Sequence, residues 1–207
     1  MHDRRIDGTA YTFGNQGALY MRAMVWYDHE TQSMWSQPWG QAIAGSLKGV
    51  QLYLLPSQVT TWISWEQEHP ETRVLINDVE RLGSRRQVFS PDFVIGLILA
   101  GHAKAYYYKD AAALQVINDA LGDIPILVWA GDDNFHAYVR RAGGQTLTFR
   151  AAGEALIDEE TGSRWSVARG LAAEGPLKGE ALQPVPGMTS YDSSWRDFYP
   201  DSEFFVP

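Results

Sequence analysis

The sequence predicts a mainly β fold of the β-rich α+β type, with two tandem copies of one strand-rich unit and short helices. Composition, short runs of strand-forming residues and an internal duplication carry this prediction. The chain has 207 residues, is 45% hydrophobic and 13% aromatic, and contains eight tryptophans but no cysteine. A chain of this size and composition can bury a core without disulfide bonds.

The duplication is visible when the chain is aligned with itself. Residues 28–70 align with 158–200 without a gap, and roughly seventeen identities occur where chance would give about three. They include the motifs Trp-Ser, Gly-x-Leu-Lys-Gly and Ser-Trp. After a change of register, RRIDGTAYTF at 4–13 aligns with RRAGGQTLTF at 140–149.

The duplication divides the chain into three parts. Copy one occupies 4–76, a polar linker occupies 77–92, and copy two with its preceding strand segment occupies 93–207. The first part of that segment, 93–139, contains strand signals such as FVIGLIL, AKAYYY and IPILVWA. Residues of this kind do not precede copy one, so we expect copy one to be incomplete.

Short strands and tight turns account for most of each copy. Runs such as TAYTF, LYMRAMVWYD and VQLYLL are aromatic or β-branched and end at glycine or polar residues. The Asp-Gly and Gly-Gly pairs in RIDGT and RAGGQ predict hairpin turns. The loops GSLKGV and GPLKGE each predict two glycines with positive φ, followed by a strand.

Three short helical segments are predicted. TTWISWEQEHP and TSYDSSWRDFYP each begin with Thr or Ser and end at proline, which predicts capped helices near 61–68 and 191–198. The sequence KDAAALQ predicts a helical turn near 110–114, and strands follow it.

Charge and hydropathy exclude several classes of protein. The net charge is −8 and the basic residues are scattered, so we expect no nucleic-acid partner. The longest apolar run, at 93–99, is far shorter than the ~20 residues that a transmembrane helix needs. The N-terminal MHDRRIDG lacks the apolar part of a signal peptide. We therefore expect a soluble chain, and the sequence leaves its compartment open.

Longer motifs resemble those of the DUF3179 family. They are YDxxTxSxWSQ, GxLKG, TTWxxW and HPxTxVL, and the resemblance extends through copy two to cover almost the whole chain. The resemblance implies a longer, exported protein whose first copy is as complete as the second. It also implies an upstream segment with a Cys-Pro-x-Cys-like motif, which this chain does not contain, so no role of those cysteines carries over. The family has no known activity to transfer.

Tryptophans at equivalent positions are the first candidate residues. Trp65 recurs as Trp195 and Trp35 as Trp165, which predicts packing in the core of both copies. Trp62 and Trp65 also lie three residues apart on one helical face. They are therefore binding candidates, as a stacking platform for a carbohydrate.

His69 and Asp28 are further binding candidates. Glu66 and His69 could meet on one helical turn, a geometry that suits general-base catalysis. Copy two has neither residue type at those positions, which favours a helix cap or surface pair. Asp28 recurs as Asp158, which favours turn chemistry over catalysis.

The sequence DDNFH supplies weak candidates for metal ligands, namely Asp132, Asp133 and His136. Asp and Asn are also common in turns between apolar strands. No hydrolase, P-loop or dinucleotide-binding motif occurs. The sequence therefore predicts no catalytic residue, no cofactor and no established metal site.

The first functional hypothesis is a non-catalytic accessory subunit that binds another protein. Copy one should expose a sheet edge near 9–13 and 19–27, and a bare edge templates association with other chains. A protein partner would complete or cover it. Two alternatives remain: a metal-binding protein or hydrolase with a site between the copies, using His69, His136 or Asp28, and a carbohydrate-binding module.

Overall fold

The computed structural model describes residues 1–57, 59–74, 93–131, 133–153 and 155–207. The predicted linker at 77–92 lies outside the described residues. Within them, strands dominate and the helices are short, which confirms the predicted mainly β fold. No helix in this part of the chain is long and apolar enough to cross a membrane.

Copy one consists of a small hairpin, a four-stranded antiparallel sheet and a helix. Its sheet has the strand order β3-β4-β5-β6. Thr61 caps the helix, because its Oγ1 accepts a hydrogen bond from the amide of Ser64 at 3.2 Å. The elements are β1 (Arg5–Ile6), β2 (Thr9–Ala10), β3 (Phe13–Tyr20), β4 (Ala23–Asp28), β5 (Met34–Ser36), β6 (Gln41–Ala44) and α1 (Trp62–Glu68).

The segment that precedes copy two forms a hairpin, a helix and a three-stranded meander. The helix contains the turn predicted at 110–114, and strands follow it as expected. The elements are β7 (Phe93–Leu99), β8 (His102–Tyr107), α2 (Tyr108–Leu114), β9 (Val116–Leu121), β10 (Ile124–Gly131) and β11 (Asn134–Val139).

Copy two repeats the architecture of copy one. Its sheet has the order β14-β15-β16-β17, which matches that of copy one strand for strand. The duplication is therefore a duplication of fold. The elements are β12 (Arg141–Ala142), β13 (Gln145–Thr146), β14 (Phe149–Ala152), β15 (Ala155–Asp158), β16 (Arg164–Ser166), β17 (Leu171–Glu174), β18 (Gln183–Pro184), β19 (Gly187–Tyr191), α3 (Asp192–Phe198) and β20 (Glu203–Phe204).

The preceding segment completes the sheets of copy two. Strand β19 adds to β7 and β20 adds to β8, which gives the sheet β19-β7-β8-β20. Strand β18 adds to β11, which gives the sheet β18-β11-β10-β9. Val59 of copy one contacts this segment: its carbonyl accepts a hydrogen bond from the Phe135 amide at 3.1 Å, and its side chain packs on the core of the segment.

The N-terminus fills, in copy one, the position that the end of β11 fills in copy two. His2 bridges Leu54 as Tyr138 bridges Pro184. The His2 ring lies against Gly40, and the Tyr138 ring lies against the equivalent Gly170. Residues 1–3 thus pair with residues 53–55 in copy one, as β11 pairs with β18 in copy two.

The helix of each copy contacts the other copy. The Trp39 indole of copy one donates to the carbonyl of Phe198 in α3 at 2.9 Å. At the equivalent position of copy two, the Arg169 guanidinium donates to the carbonyl of Glu68 in α1 at 2.5 Å. Each helix thus contacts a turn of the other copy, between β5 and β6 or between β16 and β17, as a pseudo-twofold relation predicts.

Candidate functional site

Asp28 is a buried structural carboxylate. It accepts hydrogen bonds from the Trp35 indole at 2.8 Å and from the Thr31 amide and hydroxyl at 2.5 and 2.9 Å. Burial alone would raise its pKa, but these hydrogen bonds outweigh burial and hold the pKa of Asp28 below its ordinary value. Asp158 makes the same contacts with Trp165 and Thr161 in copy two.

The two tryptophans of α1 are exposed. Trp62 is 48% exposed and Trp65 is 42% exposed, whereas Trp195 is 1% exposed. The prediction that Trp65 packs in a core is therefore wrong, and the prediction for Trp195 is confirmed. The reason is strand β7, because its Gly96 lies directly under the Trp195 ring. No described strand crosses Trp65 in this way.

His69 directly follows the last residue of α1, and its ring packs on Trp65 with the ring centroids 4.1 Å apart. In copy two, Tyr199 packs on Trp195 at 4.3 Å in the same way. No hydrogen bond joins His69 to Glu66 among the described residues. The side-chain arrangement is thus that of a helix terminus.

The DDNFH sequence forms the turn between β10 and β11 and the start of β11. Asp133 lies in this turn with φ of +56°. His136 lies two residues inside β11 and is 2% exposed. Asp132 lies outside the described residues. Within the described ranges, no three His, Asp or Glu side chains are close enough to hold a metal ion.

The main difference between the copies is how well each sheet is covered. Phe149, Leu147 and Leu156 are buried in copy two. Their counterparts in copy one, Phe13, Tyr11 and Trp26, are only half-buried. The cause is the meander β9–β11: Leu127 and Tyr138 join the core of copy two, and Val116 and Trp129 pack against it.

The edge strands β3 and β14 also differ in how well they are covered. In copy two, the Asn118 side chain of β9 accepts a hydrogen bond from the Phe149 amide at 2.8 Å and donates to its carbonyl at 2.7 Å. No side chain in the described part of the chain does this for Phe13. Strand β3 therefore ends its sheet with an uncapped edge, of which residues 15–20 are exposed.

Helix α1 extends the apolar part of this surface. Trp62 and Ile63 are exposed, the latter to 68%. The equivalent residues of α3 are the polar Asp192 and Ser193. Copy one thus has apolar side chains where copy two has polar ones. We define the uncovered surface of copy one as strand β3, the half-buried rings of Tyr11, Phe13 and Trp26, and the outer side of α1 with Trp62 and Ile63.

One part of the predicted bare region is covered. Tyr20, at the tip of the β3–β4 hairpin, lies near Trp39 and Phe198, with ring centroids 6.0 and 6.5 Å away. Arg22 also pairs with Asp197 of α3 at 3.7 Å. The uncovered surface therefore ends before the hairpin tip.

A cavity lies on the inner side of α1, away from Trp62 and Ile63. It has a volume of about 410 Å³ and is bounded by α1, by strands β10 and β11 and by residues 166–168 of copy two. His136 and Trp129 form part of its wall. Sequence reasoning named His136 but not Thr60, which also lines the cavity, because no local pattern marks a threonine before a helix as a cavity residue.

These features define a class of protein: a duplicated β protein in which strands β7–β11 cover the second copy, and in which no described strand covers the first copy in the same way. The chain belongs to the DUF3179 family, described as a protein of unknown function, whose model matches residues 1–91 and 83–202. The resemblance seen in the sequence is thereby confirmed. Comparison with curated proteins and with solved structures gave no match.

Proposed function

We propose that this protein is a non-catalytic subunit whose partner covers the uncovered surface of copy one. One observation supports the proposal above the others. The surface that β7–β11 buries in copy two is present in copy one, with the same strand order beneath it, and is open there. Proteins seldom leave a sheet edge and adjoining apolar side chains without a covering element.

Copy two indicates what the partner should look like. There the covering segment offers an apolar meander that packs on the sheet and a hairpin that crosses the helix tryptophan. The partner should therefore present an apolar, strand-rich face that packs on the sheet, cap the edge of β3 with polar side chains as Asn118 caps Phe149, and bury Trp65.

We assign the covering element to a separate polypeptide of a different sequence. The chain's own segment is already paired with β18, β19 and β20 of copy two. A second molecule of the same chain is disfavoured because each whole chain carries a net charge of −8, and like charges repel. The occupant is therefore a β-strand-rich partner protein.

The proposal is tested by photo-crosslinking from matched positions in the two copies. A photoreactive residue is placed at Asn15 on β3 and at Ile63 on α1, with controls at Ala151 and Ser193 in copy two. We expect one partner to crosslink from both copy-one positions and from neither control. When the purified partner is added back, it should slow amide exchange of β3 and shift Trp65 fluorescence to the blue.

Two results would contradict the proposal. The isolated chain could be a monomer whose β3 amides and α1 are already strongly protected, which would show that copy one is complete by itself. Alternatively, the purified chain could form a dimer through Asn15 and Ile63, which would make the occupant a second copy. The mass in solution and amide exchange of the purified chain distinguish these results.

A further inference from the structure

The cavity inside α1 has the size and the chemistry of a binding site. Its volume of about 410 Å³ falls in the range of small-molecule sites, roughly 300–1,000 Å³. Its wall contains side chains from both copies and from the segment between them, including Ser64, Gln67 and Ser166. It is separate from the uncovered surface, which lies on the opposite side of α1.

Three buried polar atoms in this cavity have no hydrogen-bond partner among the described residues. They are Thr60 Oγ1, Asn134 Oδ1 and His136 Nδ1. Asn134 and His136 are two residues apart on β11, so their side chains lie on the same face of the strand. Buried polar groups are nearly always paired, and one left unpaired costs stability. Three such atoms around one cavity indicate a ligand that pairs them.

The cavity favours an uncharged ligand. His136 is 2% exposed, and burial lowers its pKa to about 4, so the ring is neutral near pH 7. Among the described residues that line the cavity, Glu68 is the charged one, and it is neutralised by Arg169 in an ion pair of 2.5 Å. Glu68 Oε1 also accepts a weak hydrogen bond from Ser166 at 3.4 Å. The lining residues that the structure describes therefore present no unpaired charge to the cavity.

One wall of the cavity is aromatic. Trp129 is the cross-strand neighbour of His136, and their ring centroids are 5.6 Å apart. Gly131 makes room for this arrangement, because a Cβ there would lie 2.6 Å from the Trp129 ring and 3.2 Å from Asn134 Oδ1. The ligand therefore meets a flat apolar surface on one side and hydrogen-bonding groups on the other.

We propose that this cavity binds a neutral cyclic polyol of about monosaccharide size. Such a molecule has hydroxyl groups that both donate and accept, and its ring presents C–H groups that pack on an aromatic face. The hydroxyl groups pair Thr60, Asn134 and His136, and the ring packs on Trp129. This assigns carbohydrate binding to the cavity and not to the exposed pair Trp62 and Trp65.

The equivalent cavity on the other side of the molecule provides an internal control. It has a volume of about 600 Å³ and lies between copy one and the start of α3. Phe93, Met188 and Tyr191 make its wall more apolar. Ser190 takes the position of Thr60 there. Among the described residues, one unpaired buried polar atom, His2 Nδ1, belongs to the wall of this second cavity, against three in the first. The grouping of three such atoms is thus particular to the first cavity.

The test is an NMR titration of the full chain with D-glucose, N-acetyl-D-glucosamine and myo-inositol at millimolar concentrations. We expect at least one of them to shift the His136 ring and Trp129 indole signals. Thr60→Val and His136→Phe should each weaken binding by about tenfold or more, as expected for the loss of a buried hydrogen bond. Ser190→Ala should leave binding unchanged.

A second readout separates binding from folding. His136→Phe removes an unpaired buried polar atom, so its melting temperature should stay equal or rise while binding is lost. If none of the three compounds shifts either signal, the cavity holds only water and the proposal is wrong. It is also wrong if Zn²⁺ alone shifts the His136 signals at equimolar concentration, since that would make the cavity a metal site.

Discussion

At the scale of single residues, equivalent side chains in the two copies make equivalent hydrogen bonds. The indole of Trp35 donates to Asp28 at 2.8 Å, and the indole of Trp165 donates to Asp158 at the same distance. These pairs join a turn to the next strand inside each core. Residues that are identical in both copies therefore stabilise the repeated fold. We look for function at positions where the two copies differ, such as His136.

His136 should make stability depend on pH. Its pKa is about 4 in the folded state because of burial, against about 6.5 in the unfolded chain. Between these values the unfolded state binds a proton that the folded state does not. The free energy of unfolding should therefore fall as the pH decreases from about 6.5 to about 4, by roughly 3 kcal/mol at most. Urea denaturation across this range measures it.

The control for this prediction is His136→Phe. The substitution removes one titrating group, so the variant should lose the share of the pH dependence that His136 contributes and keep the share of His2, whose pKa burial also lowers. His102→Gln, at an exposed position, should keep the wild-type dependence. A wild-type protein with the same stability at about pH 6.5 and about pH 4.5 would show that His136 titrates normally in the fold.

Trp195 and Trp65 should differ in their contribution to stability although they occupy equivalent positions. Trp195→Ala removes a ring buried against β7 and should cost about 3–5 kcal/mol. Trp65→Ala removes a ring that is 42% exposed and should cost less than about 2 kcal/mol. Urea midpoints of the two variants provide the measurement. Equal losses would mean that Trp65 is buried in solution.

At the scale of elements, the repeated Gly-x-Leu-Lys-Gly loop has a specific physical cause. Gly45 and Gly175 have φ of +93° and +92°, and a Cβ at either would lie 2.7 Å from the backbone of Ser33 or Ser163 beneath it. The serine hydroxyl in turn accepts a hydrogen bond from the amide of Leu47 or Leu177. The loop therefore needs glycine at its first position, both because φ is positive and because a Cβ would overlap the serine beneath it.

This geometry predicts a difference between the two glycines of the loop. Gly49 has φ of +93° but no atom near a Cβ, so Gly49→Ala should cost only the backbone strain, roughly 1–2 kcal/mol. Gly45→Ala should cost about 1–3 kcal/mol more, because the new methyl group overlaps Ser33. Chemical denaturation of both variants compares them. Similar losses would mean that the loop moves to accept the methyl group.

The elements themselves could largely be predicted from the sequence, because their signals are local. Thr61, which caps α1, and the prolines that follow α1 and α3 marked the helices, and turn glycines marked the strand ends. The burial of Trp65 could not be predicted, since it depends on whether a distant strand crosses the helix. The convergence of Thr60 with His136 could not be predicted either, because it follows from how α1 packs on the other copy.

At the scale of the whole molecule, helices α1 and α3 join the two copies. Trp39 and Arg169 each donate to a helix carbonyl of the other copy. The contacts of Ser166 and Arg169 with Glu68 of α1 also close the cavity that contains His136. Helix α1 therefore separates the proposed partner surface, on its outer side, from the proposed ligand cavity, on its inner side.

The unequal covering of the copies predicts that copy one opens more easily than copy two in the isolated chain. Among the described residues, the buried core cluster of copy one consists of Trp35, Ala42 and Leu52, whereas that of copy two is larger and includes Leu127 and Tyr138 from the meander. Segments with few buried apolar side chains open at lower free energy. Amides of β4 and β5 should therefore exchange about tenfold or more faster than those of β15 and β16. Addition of the partner should remove the difference. Equal exchange rates in the isolated chain would show that copy one is as stable as copy two without a cover, and the partner-binding proposal would lose its main support.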